Sequence, residues 1–241
     1  MFRGSWSDPA AVYAGFKVGD NKVNHSHLEL GEFVLEADAQ RWAIDLGSDD
    51  YNLPGYFGKQ RWDYYRLATR GQNTLVVDGK NQDPKAVAPI TAFFTSPGRA
   101  HAIADLSKAY KGQLKSAQRG IAILDRKQVL VQDEFEPAEG AKEIVWQMHT
   151  DAKITLKGSE AVLEQKGERL LAKILEPSGA QFEVAMANPP PPERQQPNVS
   201  KLVVRLAANG RPVRLAIELT PDSAAERRPA TVEPLAKWAA K

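Results

Sequence analysis

The chain has 241 residues, 42% hydrophobic and 26% charged, enough apolar material to build a core in one large domain or two small ones. Its 32 basic and 30 acidic residues leave a formal charge of +2 and are intermixed along the chain, so no basic tract matches a run of phosphates and nucleic acid is not an expected partner. There is no cysteine, which removes disulfides, thiolate ligands and thiol redox chemistry. No apolar run approaches the roughly 20 residues that span a bilayer, so no membrane partner is expected either.

Met1-Phe2-Arg3-Gly4-Ser5-Trp6 has neither the basic start nor the apolar stretch of a secretory signal, and the chain as it stands carries no export address. Val12, Ala14, Phe16 and Val18 alternate with Tyr13, Gly15 and Lys17, a period of two that predicts a half-buried strand closed by Gly19-Asp20-Asn21. Phe33, Leu35 and Ala37 alternate in the same way. After Asp38-Ala39, Trp42, Ile44 and Leu46 repeat the pattern, which predicts a hairpin. From Gly47 the composition changes to a Pro- and Gly-containing loop that is unusually aromatic, with Tyr51, Tyr56, Phe57, Trp62, Tyr64 and Tyr65.

Further strand-like runs follow at Leu75–Val77, Ile90–Phe94, Ala100–Leu106, Gly120–Leu124, Val129–Phe135 and Ile144–Met148. The second half adds Ile154–Leu156, Ala161–Leu163, Leu170–Leu175, Phe182–Met186, Leu202–Leu206 and Val213–Leu219. The Pro-rich stretch Asn188 to Pro197 reads as a loop or a short polyproline segment. No long amphipathic helix competes, so the expected class is all-β: one large two-sheet antiparallel β-sandwich over residues 1–221, with 222–241 a tail or a short helix around Trp238.

Two of the four histidines and four of the six tyrosines lie between Asn24 and Asp78. On a strand, His25 and His27 would project from one face. Asp45, on the next expected strand and on the face opposite Trp42, Ile44 and Leu46, would meet them through the hairpin as a carboxylate ligand suited to zinc or another borderline divalent ion. His101 and His149 have no comparable company, and His149 reads as an ordinary strand residue. Glu32 also completes part of a cupin-like pattern with the two histidines. Ala39 stands where that pattern needs glycine, and no second histidine motif follows, leaving a jelly-roll oxygenase or isomerase as an alternative.

Taken together, Asn24-His25-Ser26-His27-Leu28-Glu29-Leu30-Gly31-Glu32-Phe33, then Arg41-Trp42-Ala43-Ile44-Asp45-Leu46-Gly47, then Tyr51 and Tyr56, then Asn73-Thr74-Leu75, resemble the C-terminal half of heparinase II/III-like polysaccharide lyases. The resemblance is strongest over residues 1 to about 150 and continues more weakly to about 220. It implies a β-sandwich that follows an α-helical toroid, and β-elimination of uronic-acid polysaccharides such as glycosaminoglycans or alginate, in a parent protein that is periplasmic or secreted. It also implies that His27 and Asp45 are zinc ligands and that His25 is an active-site histidine.

The family's third ligand is a histidine immediately before Asn-Thr. Here it is Gln72, whose neutral carbonyl predicts a weakened or absent zinc site. The helical toroid, which supplies part of the family active site, would precede Met1. The loop offers a catalytic phenol at Tyr51 or, better presented by Pro54-Gly55 and Gly58, at Tyr56, and Arg61 or Arg66 offers a bidentate clamp for the uronate carboxylate. Tyr64, Tyr65 and Trp62 are expected to pack under the sandwich edge. The competing function is a non-catalytic carbohydrate-binding or structural sandwich with a decayed metal site, motivated by Gln72 and by aromatic rings able to stack on sugars.

Overall fold

Period-two runs become strands when one face finds a core, and the computed structural model, which describes residues 1–224 and 230–238, has a strand at each run named above. In chain order these are β1 (Phe2–Arg3), β2 (Tyr13–Phe16), β3 (Gly19–Asp20), β4 (Phe33–Ala37), β5 (Gln40–Ala43) and β6 (Leu75–Val77). Then come β7 (Val87–Ala88), β8 (Ile90–Thr95), β9 (Arg99–Asp105), β10 (Leu114–Leu124), β11 (Gln128–Pro137) and β12 (Glu143–Thr150). The last are β13 (Lys153–Lys157), β14 (Glu160–Gln165), β15 (Glu168–Glu176), β16 (Phe182–Met186), β17 (Ser200–Ala207) and β18 (Val213–Pro221), followed by the one-turn helix α1 (Leu235–Trp238). Among the described residues no helix is long and apolar enough to cross a membrane.

The strands form an antiparallel β-sandwich. One layer is an eight-stranded sheet in the order β13-β14-β15-β18-β11-β10-β9-β8. The other is built from two four-stranded sheets, β1-β2-β4-β5 and β16-β17-β12-β6. β6 pairs with Ile144–Trp146 of β12. Beyond that point the chain leaving β5 takes over the vacated edge, with Ile44 N–H donating to the His149 carbonyl at 3.0 Å. The two smaller sheets therefore meet at a seam, and their apolar faces share one core with the eight-stranded sheet, including Phe33, Trp42, Trp146, Ile121, Val131 and Ile217. The outer face of the large sheet is covered at one place by α1, whose Leu235 and Trp238 pack on Ile103, Ala122, Leu130 and Ala216. Gly120 is required there, because a Cβ would lie 2.4 Å from Leu235 and 2.7 Å from Trp238.

β10 and β11 cross the core with a charged pair between them. Arg119 and Asp133 are cross-strand partners and both are fully buried. Two parallel hydrogen bonds join them, Nε to Oδ1 at 2.7 Å and Nη2 to Oδ2 at 2.8 Å. The remaining Arg119 nitrogen donates to the carbonyls of Gly31 at 2.7 Å and Asn73 at 2.8 Å. A buried ion pair persists only if its other donors are also met. Here meeting them ties the large sheet to the two loops that carry the candidate site.

Candidate functional site

The site lies on the seam, and Asn73 holds it together. Its side-chain amide donates to the carbonyls of Phe33 and Ile44, both at 2.9 Å, while its carbonyl oxygen accepts from His149 N–H at 2.7 Å and stands 3.0 Å from His149 Nδ1. One side chain thus replaces the ladder rungs missing between β4, the exit of β5 and β12. His149 is consequently no ordinary strand residue. It is fully buried, its Nε2 lies 2.9 Å from Tyr65 OH, and burial holds its pKa well below the usual histidine value, with Lys201 adding to the effect. With Nδ1–H donating to Asn73, Nε2 accepts the Tyr65 hydroxyl proton, and Tyr65 is itself pushed up by burial.

The histidine pair does not sit on a strand. Residues 21–31 form turns, and His25 adopts the left-handed region at φ 61°. The two imidazoles therefore diverge: His25 is exposed and His27 is buried. β5 likewise ends at Ala43 rather than at Leu46, because Asn73 and His149 take the hydrogen bonds of Ile44 and peel the chain away. Asp45 still approaches His27, from a loop instead of a hairpin face.

Each of His27, Glu29 and Asp45 offers a ligand atom within 4.8 Å of the others, a possible metal-binding triad. Gln72 adjoins it, with Nε2 3.5 Å from His27 Nδ1. That amide also donates to the Arg66 carbonyl, leaving Gln72 Oε1 buried with no hydrogen-bond partner among the described residues. The Gln72 atom that faces His27 is thus the amide nitrogen, and its unpartnered oxygen is a neutral donor of the kind a cation can take. Burial lowers the His27 pKa while Glu29 and Asp45 raise it, the net effect being downward, which favours the neutral imidazole that ligates metals. Glu32 is buried next to them, its carboxyl near the Asn73 backbone and the Glu29 side chain, and burial, Asp45 and Glu29 push this group well above the carboxylate range. Lys17 Nζ contacts Glu29 and offsets part of this negative charge. The set fits a divalent cation with mixed nitrogen and oxygen ligands.

Beside the triad the aromatic loop is folded onto itself. The Tyr51 ring, half exposed, stacks on His25 at 6.2 Å, and Phe57, also exposed, meets His25 edge-on at 6.0 Å. Tyr56 is turned inward despite its flanking glycines. Its ring packs between Tyr51, Phe57 and Tyr64, its hydroxyl accepts from Asp49 N–H at 3.2 Å, and burial raises its pKa. Arg61 donates to the carbonyls of Ser26 and Tyr56, so its terminal nitrogens are engaged with backbone. Arg66 is buried and bonds Leu46 O and Gln196 Oε1. Tyr65 packs under the sandwich edge, as its neighbourhood in the sequence suggested; Trp62 and Tyr64 pack against the small cluster of Leu53, Tyr56 and Leu67.

The Pro-rich segment lies across this loop. Glu193 accepts from Tyr65 N–H, and Arg194 N–H donates to the Asp49 carboxylate at 3.0 Å. Arg194 then lines an open pocket with Tyr51, Asp49, Asp50, Ser48 and Pro192. Sequence reasoning misses Glu29, Asn73, His149 and Arg194 as parts of this site. Glu29 stands two places beyond His27, and Asn73 directly follows Gln72, so both lie inside the motif that carries the family resemblance. Arg194 is hidden in a low-complexity segment whose position over the site depends on the whole fold.

The family model described as Heparinase II/III-like, C-terminal, matches residues 8–230. The chain belongs to this family. No curated protein matches the sequence. Among solved structures, the heparan sulfate lyase HepC from Pedobacter heparinus superposes with a TM-score of 0.74 at 16% identity, over 94% of this chain and 35% of that one. A heparinase III, the BT4657 gene product, gives 0.74 at 16% identity over 91% of this chain and 34% of its own. Another heparinase III gives 0.72 at 14% identity over 91% and 35%. At such identities the likeness is one of fold, and the chain spans about a third of the length of these heparinase structures.

Proposed function

We propose that this chain is the β-sandwich part of a polysaccharide lyase that cleaves uronic-acid-containing glycans by β-elimination, completed by an upstream helical domain. The observation that carries this reading is the exposed His25 imidazole, framed by Tyr51 and Phe57 and two residues from His27 of the triad, whose His27 and Glu29 are buried and whose Asp45 is exposed. Family membership and the names of the similar heparan sulfate lyase and heparinase III structures support the anionic glycan as substrate class.

In the elimination the C5–H bond breaks, its electron pair becomes the C4=C5 double bond, and the C4–O4 bond breaks with O4 taking a proton. The C5 proton becomes acidic enough only when the adjacent carboxylate is neutralised by hydrogen bonds or positive charge. His25 and Arg194 are the neutralising groups in this proposal. The exposed Tyr51 phenol protonates the departing O4, and the group that removes the C5 proton belongs to the upstream domain. Tyr56 and Arg61 support this surface from below. His27, Glu29, Asp45 and Gln72 would hold zinc, which in that place supplies positive charge to a cluster of carboxylates and ties the His27 turn to the Asp45 loop.

The test is an absorbance assay for the unsaturated uronate product using the full-length protein. His25→Ala is expected to lower turnover by at least about 100-fold, the lower range for a positioned proton-transfer or charge-neutralising group. His27→Ala with Asp45→Ala is expected to abolish stoichiometric zinc in elemental analysis. A second reading, a carbohydrate-binding sandwich without catalysis, is favoured by Gln72 in place of a histidine. Glycan binding with no product from the wild-type full-length protein would select it.

A further inference from the structure

We infer that Arg61 is a positioning residue that holds the His25 imidazole in its working pose. The inference rests on the reading of His25 as a reacting group. It also reassigns an arginine that the sequence offered as a carboxylate clamp.

An exposed imidazole on a turn has no intrinsic reason to keep one orientation. His25 in addition has a left-handed backbone, which a non-glycine residue holds only when its surroundings impose it. The peptide that follows is fixed from three sides. Ser26 N–H donates to Val23 O at 3.2 Å, Ser26 Oγ donates to Asn21 O, and Ser26 O accepts from Arg61 Nη2 at 2.7 Å. The first two bonds are local to the turn. The third comes from 35 residues away and is the one that sets the turn against the aromatic loop.

The same guanidinium organises that loop. Arg61 Nη1 donates to Tyr56 O at 3.2 Å, and the guanidinium carbon lies 5.3 Å from the Tyr56 ring centre, 5.8 Å from Phe57 and 5.1 Å from Trp62. Phe57 is in turn the edge-on neighbour of His25, and Tyr56 packs on Tyr51, its stacked neighbour. One planar fork thus fixes both the backbone that carries the imidazole and the rings that confine it. A lysine supplies the charge but not two diverging donors in a plane, so charge alone does not reproduce the arrangement.

The experiment combines ring-proton NMR of the chain with kinetics of the full-length protein. In the wild type, His25 ring protons are expected to show cross-relaxation with Tyr51 and Phe57. Arg61→Ala should remove it and Arg61→Lys should not restore it, while the ring signals of His149, buried in the seam, stay in place and report an intact fold. In the full-length protein, Arg61→Ala is expected to lower kcat about 100-fold, the scale of a small misplacement of a reacting group, with KM nearly unchanged. Retention of the His25 contacts in Arg61→Ala, or their full recovery in Arg61→Lys, overturns the inference whatever the activity. A rise in KM with unchanged kcat overturns it too, by making Arg61 a substrate contact. Loss of the contacts with undiminished turnover leaves Arg61 as the positioning group and removes His25 from the reaction instead.

Discussion

At the scale of single residues, the seam makes a statement about pH. His149 is fully buried between Asn73 and Tyr65, and its folded pKa lies well below the value near 6.5 that it has in an unfolded chain. Between those two values the unfolded state binds the extra proton, so stability from this group is complete above about pH 6.5 and is lost as pH falls through the folded pKa. The slope is at most about 1.4 kcal/mol per pH unit for one proton. His27 is also lowered by burial and contributes in the same direction, so the informative quantity is a difference between proteins. His149→Gln keeps hydrogen-bonding capacity without titrating, and its denaturation midpoint is expected to fall less than that of the wild type between pH 7.5 and 5.5; equal falls would reject the assignment. Nothing in the local sequence marks His149, because its partners are 76 and 84 residues away. The divergence of His25 and His27 was equally hidden, since a left-handed backbone is signalled by glycine or asparagine and here it falls on the histidine that follows Asn24.

Among the elements, strands were legible wherever one face of a run was apolar, and less so elsewhere for identifiable reasons. β1, β3 and β7 have two residues each, too few to display a period. β10 begins at Leu114, well before the apolar run from Gly120, because Lys115, Ser116, Gln118 and Arg119 interrupt the pattern and Arg119 is buried through its pair with Asp133. The β4–β5 hairpin was legible as a hairpin, but its turn was not. Asp38 and Ala39 stand at φ 54° and 55°, the backbone of a tight hairpin turn that glycine suits best at its second position. An alanine there costs roughly 1–2 kcal/mol against glycine's entropic disadvantage of roughly 0.5–1 kcal/mol, so the strain dominates. Ala39→Gly is expected to stabilise the chain by about 0.5–1 kcal/mol, read as a higher urea midpoint with unchanged slope. A lower midpoint would mean that the turn relaxes around alanine without strain.

For the whole molecule, the decisive feature is that one wall of the proposed reaction site faces solvent. His25, Tyr51 and Phe57 are exposed, and the neighbouring pocket at Arg194 is open. Water competes there for every hydrogen bond that must stabilise charge developing on the uronate, and electrostatic stabilisation is weak where solvent screens it. Elimination also needs acid, base and carboxylate neutraliser around a single sugar, and a separately diffusing partner forfeits the orientation term that a closed site supplies. The Arg119–Asp133 pair ties the large sheet to the loops behind this wall but provides no opposing surface. The chain by itself is therefore expected to give no measurable unsaturated uronate from heparan sulfate, hyaluronan or alginate, while a protein that includes the proposed upstream helical domain is expected to turn over at least one of them. Robust turnover by the 241-residue chain, lost in His25→Ala, would show that the exposed wall is a complete site and that the upstream domain contributes no reacting group. Turnover by the extended protein that survives His25→Ala would instead move the reaction away from this wall altogether.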